Sequence, residues 1–433
     1  MSEWEVKPLA EIADIKVSNV DKKSFSGELP VRLCNYMDVY AGRYLGNGDR
    51  YMEATCTPRE LAAFGLRRGD VLITKDSESP DDIAIPALID DDVQELVCGY
   101  HLAVLRLRSD ALDPVVLLKQ LESERLRRYF GQRAGGSTRY GLSTRAIAQA
   151  PILVPPEEAQ RSIVETHRSI DTQITHTEAL IAKQEQVRAG LMQDLFTRGV
   201  DETGRLRPPR EEAPELYHET ALGRLPKGWE ASTLLKLIPR AVYGSSEALS
   251  DDPQGVSVLR MNNIQTGKFD VAELRYSTKE PPAFLMLKAG DLLFNRTNSM
   301  EHVGKVALWR DELPKASFAS YLVRLDVDQS LIQTEFMLYW LNMPTTQLEM
   351  RRYATPGVHQ VNINPTSLRR LICAHPTDLT EQSRIIDRVA TIDGAIEADR
   401  AFVLKLRNQR FALLHDLLTP PAAASTVPRI AAE

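Results

Sequence analysis

Gln160 to Thr197 spells QRSIVETHRSIDTQITHTEALIAKQEQVRAGLMQDLFT, and Gln382 to Thr419 spells QSRIIDRVATIDGAIEADRAFVLKLRNQRFALLHDLLT. The two align without a gap at a constant offset of 222 positions, setting Ile170 on Ile392, Asp171 on Asp393, Ile174 on Ile396, Lys183 on Lys405, Arg188 on Arg410, Leu191 on Leu413 and Asp194 on Asp416. Apolar residues recur near every seventh position: Ile163, Ile170, Ile174, Ile181, Leu191 and Leu195 in the first copy, then Ile385, Val389, Ile392, Ile396, Val403, Leu406, Leu413 and Leu417 in the second. That spacing predicts the seam of a long helix lying along another helix. Neither copy contains proline, and the drift from Glu157 and Glu158 to Arg188 suits the helix dipole. At ~1.5 Å per residue such a rod of roughly 38 residues spans about 57 Å. An ordinary amphipathic helix packed on its own domain explains the stripe but not the duplication.

The repeat extends outward from the rods. Trp4 and Trp229 open the two halves, VYAGRY (Val39 to Tyr44) answers IQTGKF (Ile264 to Phe269), and RRGDVLITK (Arg67 to Lys75) answers KAGDLLFNR (Lys288 to Arg296). Arg127-Arg128-Tyr129 then answers Arg351-Arg352-Tyr353, and Gly136 answers Gly357. One unit, a globular head followed by a helix, is written twice. VRLCNYMDVY, DVLITK and LAVLRL in the first head, and VSVLRMNNI, DLLFN and YLVRLDV in the second, are expected as strands; PVVLLKQLESERLRRYF and TEFMLYWLNMPTTQLEMRRY are expected as helices. The expected fold class is α+β, with heads of mixed α and β structure at residues 1-156 and 225-377 and long helices at 157-199 and 378-419. A Pro-rich, charged connector covers 200-224, and a loose tail covers 420-433.

If alike heads feed alike helices, the simplest closed arrangement is an approximate two-fold one, with the helices antiparallel as a coiled-coil spacer. Such a body suits a long ligand of approximate two-fold symmetry, and duplex DNA is one. Composition bounds the alternatives. Hydrophobic content of 43% and charged content of 26% are those of a globular protein. No apolar run reaches membrane-spanning length and the charged start does not suit a signal peptide, so no membrane association and a cytoplasmic location are expected. Cys34, Cys56, Cys98 and Cys373 are scattered without metal-ligand or disulfide spacing. The net charge of -6 argues against tight nucleic-acid binding by the chain alone.

The chain carries no familiar catalytic signature. No glycine-rich cofactor or phosphate loop, no paired-histidine metal motif and no Asn/Asp-Pro-Pro-aromatic tetrapeptide occurs. Two loops in each half carry donors suited to base edges instead. The loop after the Gly-Asp strand holds Lys75, Asp76 and Ser77 in the first half and Arg296, Thr297, Asn298 and Ser299 in the second. The loop after the Arg-Arg-Tyr helix holds Arg133, Ser137, Thr138, Arg139 and Tyr140, then His359, Gln360 and Asn362. Arg, Asn and Gln pair bidentately with guanine and adenine edges. A frame kept while its loop residues differ suggests two heads reading two different half-sequences. Arg127, Arg128, Arg351 and Arg352 are expected to anchor phosphates or cap helix ends.

LPKGWE before the second head, KAGDLLFNRTNSMEHVGK, the helix starts EEAQRSIV and TEQSRIID, and LMQDLFTRGVDETGRLRP leaving the first helix together resemble the specificity subunit of type I restriction-modification systems. The resemblance covers essentially the whole chain. It implies a non-catalytic DNA reader whose two target recognition domains each take half of an asymmetric, bipartite target, with the helix pair setting the gap. It further implies two methyltransferase subunits bringing S-adenosylmethionine, and restriction subunits bringing ATP- and magnesium-dependent translocation and cleavage, with no cofactor in this chain. Two other classes stay open at this point: an architectural coiled-coil scaffold that binds proteins, and a DNA-modifying enzyme whose active site carries no familiar motif. Head exchange separates the first from the reader, and activity of the purified chain alone separates the second.

Overall fold

The computed structural model describes residues 4–220, 222–357 and 360–417, with side chains to Leu413. The loose tail expected at 420-433, the Leu417 side chain and His359 lie outside the described residues. The chain forms two units, residues 1–178 with 401–433, and residues 179–400.

In the first unit a five-stranded sheet runs in the order Ala13–Val17, Leu102–Leu107, Val71–Thr74, Pro86–Ile89, Tyr44–Leu45. It is antiparallel except for its last, parallel pair. Side chains on a strand alternate between faces. Val71, Ile73, Ala103 and Leu105 accordingly enter a core beneath the helices Pro114–Glu122 and Glu124–Gly131. Leu72, Leu102 and Val104 enter a second core on the opposite face. Burial on both sides is why DVLITK is a nearly continuous apolar run. A smaller sheet sets Leu29–Cys34 between antiparallel Met52–Cys56 and parallel Leu96–Cys98.

The second unit repeats this plan internally. Arg240–Tyr243, Leu322–Asp326, Leu292–Asn295 and Val306–Leu308 form an antiparallel sheet in that order. Beside it Ser257–Leu259 again has one antiparallel and one parallel neighbour.

Three expectations are corrected. VRLCNYMDVY is not one strand, because Asn35 and Asp38 form a capping box and Tyr36–Ala41 is helical. The two expected head helices are each split in two. Ser123 caps a new start at Glu124, and Pro344 starts the second helix of the other pair. The connector is not simply extended either, since Tyr217–Thr220 and Gly223–Pro226 close a hairpin in it. Arg207 of the connector ion-pairs with buried Glu381, its Nη2 donating to Oε2 at 2.9 Å, while Trp229 Nε1 donates to Glu381 Oε1 at 3.0 Å.

The long helices run Glu157–Arg198 and Leu379–Leu417. Within the first unit Arg410 donates to Asp171 at 3.0 Å and Arg407 to Glu178 at 2.7 Å. Within the second unit Arg400 donates to Glu185 at 2.6 Å, Gln184 to Asp399 at 2.9 Å, and Arg188 pairs with Asp393. In both, numbers rise along one helix as they fall along the other, so the paired segments are antiparallel. Ile170, Ile174, Ile396, Val403 and Leu406 are buried, and Ile181, Leu191, Ile392 and Leu413 are partly so. The ends of the stripe do other work. Ile163 joins the core of the first head, while Leu195, Ile385 and Val389, with Met192 and Phe196, complete that of the second.

Each long helix is also latched to its head by a buried glutamine. Gln160 accepts from the Asp113 amide at 2.7 Å and donates to Ala111 and Pro155 carbonyls, both at 2.8 Å. Gln382 accepts from the Gln333 amide at 2.7 Å and donates to the Leu331 and Pro376 carbonyls at 3.1 and 2.8 Å. Gln382→Ala strands these backbone groups and is expected to cost about 2 kcal/mol. Hydrogen exchange at the Gln333 amide should accelerate with it, and unchanged protection there would remove the latch from the account.

Candidate nucleic-acid interface

The two candidate loops of each head, far apart in sequence, meet as one β ribbon. In the first unit Asp76–Ser77 pairs antiparallel with Tyr140–Gly141, and the Leu142 amide donates to the Lys75 carbonyl at 2.9 Å. In the second unit Thr297–Asn298 pairs with Val361–Ile363, which also pairs with Ala354–Pro356, and the Ile363 amide donates to the Arg296 carbonyl at 2.8 Å. A tight turn ends the first ribbon. Gly136, with φ +142, lies where a Cβ would meet the Arg139 carbonyl oxygen at 2.0 Å, and the Gly357 amide donates to the Gln360 carbonyl at 2.7 Å.

In the first ribbon Ser137, Thr138 and Arg139 are exposed at the turn, Lys75 and Tyr140 are half-buried, and Ser77 is buried. Lys75 donates to Asp76 Oδ1 at 3.1 Å, and His101 Nδ1 lies 2.5 Å from Asp76 Oδ2. Burial pushes the Asp76 carboxyl up, but the hydrogen bonds from His101 and Lys75 outweigh it and hold the group below its ordinary value. Arg133 stacks 3.9 Å above the Tyr129 ring centroid and donates to the Tyr129 carbonyl.

The second ribbon is less internally paired. Arg296 is half-buried with its guanidinium 5.1 Å from the Tyr243 ring centroid, Thr297 is buried, Asn298 and Asn362 are half-buried, and Ser299 is exposed. Gln360 touches Met261 Sδ at 3.7 Å. Asn295 Oδ1, Arg296 Nε, Thr297 Oγ1 and Asn362 Oδ1 have no hydrogen-bond partner among the described residues. Of the proposed anchors, Arg127 is exposed, Arg128 pairs with Glu124 and Arg352 with Glu349 within their own helices, and Arg351 donates to the Glu301 carbonyl at 3.1 Å.

Sequence reasoning missed His101, Tyr243 and Tyr321. The Arg296 amide donates to Tyr321 as the Lys75 amide donates to His101, so the two occupy one structural position. The cue was GYHLAVLRL against ASYLVRLDV, a kept strand preceded by a changed residue. Among the described residues no cluster of side chains fits a metal ion, and no helix is long and apolar enough to cross a membrane.

No family model matches the chain. It is 26% identical over 208 residues to a putative type I restriction enzyme MjaX specificity subunit of Methanocaldococcus jannaschii, covering 47% of this chain and 49% of that one. The chain thus spans about half the length of that relative. It is 20% identical over 427 residues to the MjaVIII specificity subunit of the same organism, covering 96% of this chain and 92% of the other. The crystal structure of the type I restriction-modification S subunit from M. genitalium superposes with a TM-score of 0.56 at 14% identity over 96% of both chains. The chain is thus similar in sequence to proteins named type I restriction enzyme specificity subunits and has the mixed α and β fold of a solved S subunit.

Proposed function

We propose that this protein is the sequence-specific DNA-recognition subunit of a type I restriction-modification complex, without a catalytic site of its own. Its recognition domains are residues 1-156 and 225-377, separated by the helices 157-199 and 378-419 as an antiparallel, approximately two-fold pair. Each ribbon reads one half of a bipartite, asymmetric target in double-stranded DNA, and helix length sets the unspecified gap. The observation that carries this is the ribbon itself: both heads spend a strand pairing to bring the same two polar loops together, and fill them with different side chains.

The helix ion pairs support the two-fold relation. Under the 222-position offset Asp171–Arg410 is the image of Asp393–Arg188, and Glu178–Arg407 is the image of Arg400–Glu185 with the charges exchanged. The name of its relatives, specificity subunits of restriction enzymes, supports partners that supply catalysis. Two methyltransferase subunits with S-adenosylmethionine dock on the helix pair, restriction subunits use ATP and magnesium, and the assembly works in the cytoplasm.

The test is methylation mapping with the chain assembled on its methyltransferase subunits. A two-part motif with a fixed gap is expected. Deleting Thr177–Lys183 together with Asp399–Lys405 removes one heptad, ~10 Å, from each helix and is expected to shorten the gap by about 3 base pairs at ~3.4 Å each. A gap that stays the same length after this deletion overturns the proposal.

A further inference from the structure

We propose that Arg139 is the base-reading side chain of the first head, and that His101, braced by Asp76, is the residue that positions it. The inference rests on the DNA-recognition reading above. It begins from three contacts: Lys75 on Asp76 Oδ1, His101 Nδ1 on Asp76 Oδ2 at 2.5 Å, and Arg139 Nη2 on His101 Nε2 at 3.1 Å. A guanidinium only donates, so His101 Nε2 accepts, and the ring N–H at Nδ1 donates to Asp76 Oδ2. Both carboxylate oxygens are then engaged, both imidazole nitrogens are engaged, and the exposed Arg139 side chain is tied to the end of that chain by one hydrogen bond. Four of its five donors are left over, enough for a bidentate contact with guanine O6 and N7.

Two further observations bear on His101. Its backbone has φ +69, a left-handed conformation that a side chain with a Cβ adopts at a cost, and such strain collects where a side chain must be aimed. The Tyr100 ring lies against the imidazole, with centroids 3.8 Å apart. In the second head Tyr321 and Thr297 stand in the places of His101 and Asp76, and Gln360 in that of Arg139. The relay belongs to the first head alone, which gives the test an internal control. Arginine loses much rotamer freedom on binding, and fixing it beforehand removes that cost from recognition.

The measurement is binding by the complete complex to its target and to single-base variants of both half-sites. Arg139→Ala is expected to lower discrimination at one G·C pair of one half-site by on the order of 10- to 100-fold. His101→Asn keeps a residue that tolerates the left-handed backbone but is too short to bridge Asp76 and Arg139. It is expected to lower discrimination at that same pair about 5-fold, leaving the other half-site and the salt dependence unchanged. The double variant should equal Arg139→Ala, and Asp76→Asn should resemble His101→Asn. Wild-type discrimination by His101→Asn beside a loss in Arg139→Ala overturns the positioning role while DNA reading stands. A uniform loss at both half-sites, or a flattened salt dependence with Arg139→Ala, overturns the base-reading role. A wild-type complex with no sequence preference sinks the functional reading itself.

Discussion

Asn in place of Asp171 is expected to destabilise the first unit by ~3 kcal/mol, whereas the same change at Asp393, 222 positions on, is expected to cost under ~1 kcal/mol. The residues are counterparts, and the difference lies in what surrounds them. Asp171 is 7% exposed and takes Lys119 Nζ at 2.6 Å, Arg410 at 3.0 Å and the Tyr44 hydroxyl at 2.9 Å, with Arg43 at 3.7 Å. Burial would push its carboxyl up, but the Lys119 charge beside it, then Arg43 and Arg410, bring it down to about 2. Lys119 is 0% exposed. Removing the carboxylate leaves Lys119 and Arg43 to share Glu122 and takes from Arg410 its contact with Asp171, so the fully buried Lys119 charge is under-compensated. Asp393 instead has a side chain 33% exposed and faces Arg188 and the neutral Tyr339, whose hydroxyl burial and then the Asp393 charge raise to about 12. Denaturant unfolding of both variants, with hydrogen exchange assigning the loss to a unit, checks this. Equal losses at the two sites would contradict it.

Between pH 6.5 and pH 4 the first unit is expected to lose ~3 kcal/mol of stability that a His167→Val chain retains. His167 is 0% exposed, and neither ring nitrogen has a partner among the described residues. Burial first, then the Lys119 and Arg410 charges, lower it from 6.5 to about 4, against the opposing pull of Asp171 and Glu122. In this window the unfolded chain holds a proton that the folded chain excludes, so stability rises with pH. The contribution is complete above pH 6.5 and gone below about 4. Asp171 acts in a lower window, its contribution being lost as pH falls through about 2. The aligned residue in the second half is Val389, buried in that unit's core, so valine is a side chain this helix position accepts. Packing lost in His167→Val shifts the whole curve, while the histidine's own contribution is its slope. A variant that keeps the wild-type slope between pH 4 and 6.5 would show that other groups carry the acid sensitivity.

How much was legible follows from how far apart the partners lie in the chain. The rods were legible because a helix buries residues three, four and seven apart, so Ile170 and Ile174 announce their face locally. The doubling was legible because the offset of 222 is preserved through every matched residue of the rods. The candidate loops were found one at a time, and their meeting was not. Thr297 pairs with Asn362 and Ser77 with Tyr140 across more than sixty residues, a distance over which periodicity carries no information. Asn35 to Asp38 did carry a capping signal, overlooked beneath an apolar run that suited a strand.

By itself the sequence determined that one head-and-helix unit occurs twice, which segments are the rods, and which loops vary inside a constant frame. These are properties of local spacing and self-similarity. Only the tertiary structure decided that the varying loops share a ribbon, that His101 stands between Asp76 and Arg139, and that Asp171 and Asp393 inhabit different dielectrics. The physical reason is one and the same. Hydrogen bonding and charge burial depend on which distant segments a fold brings within ~3 Å and whether water is left between them, and neither is a function of neighbours along the chain.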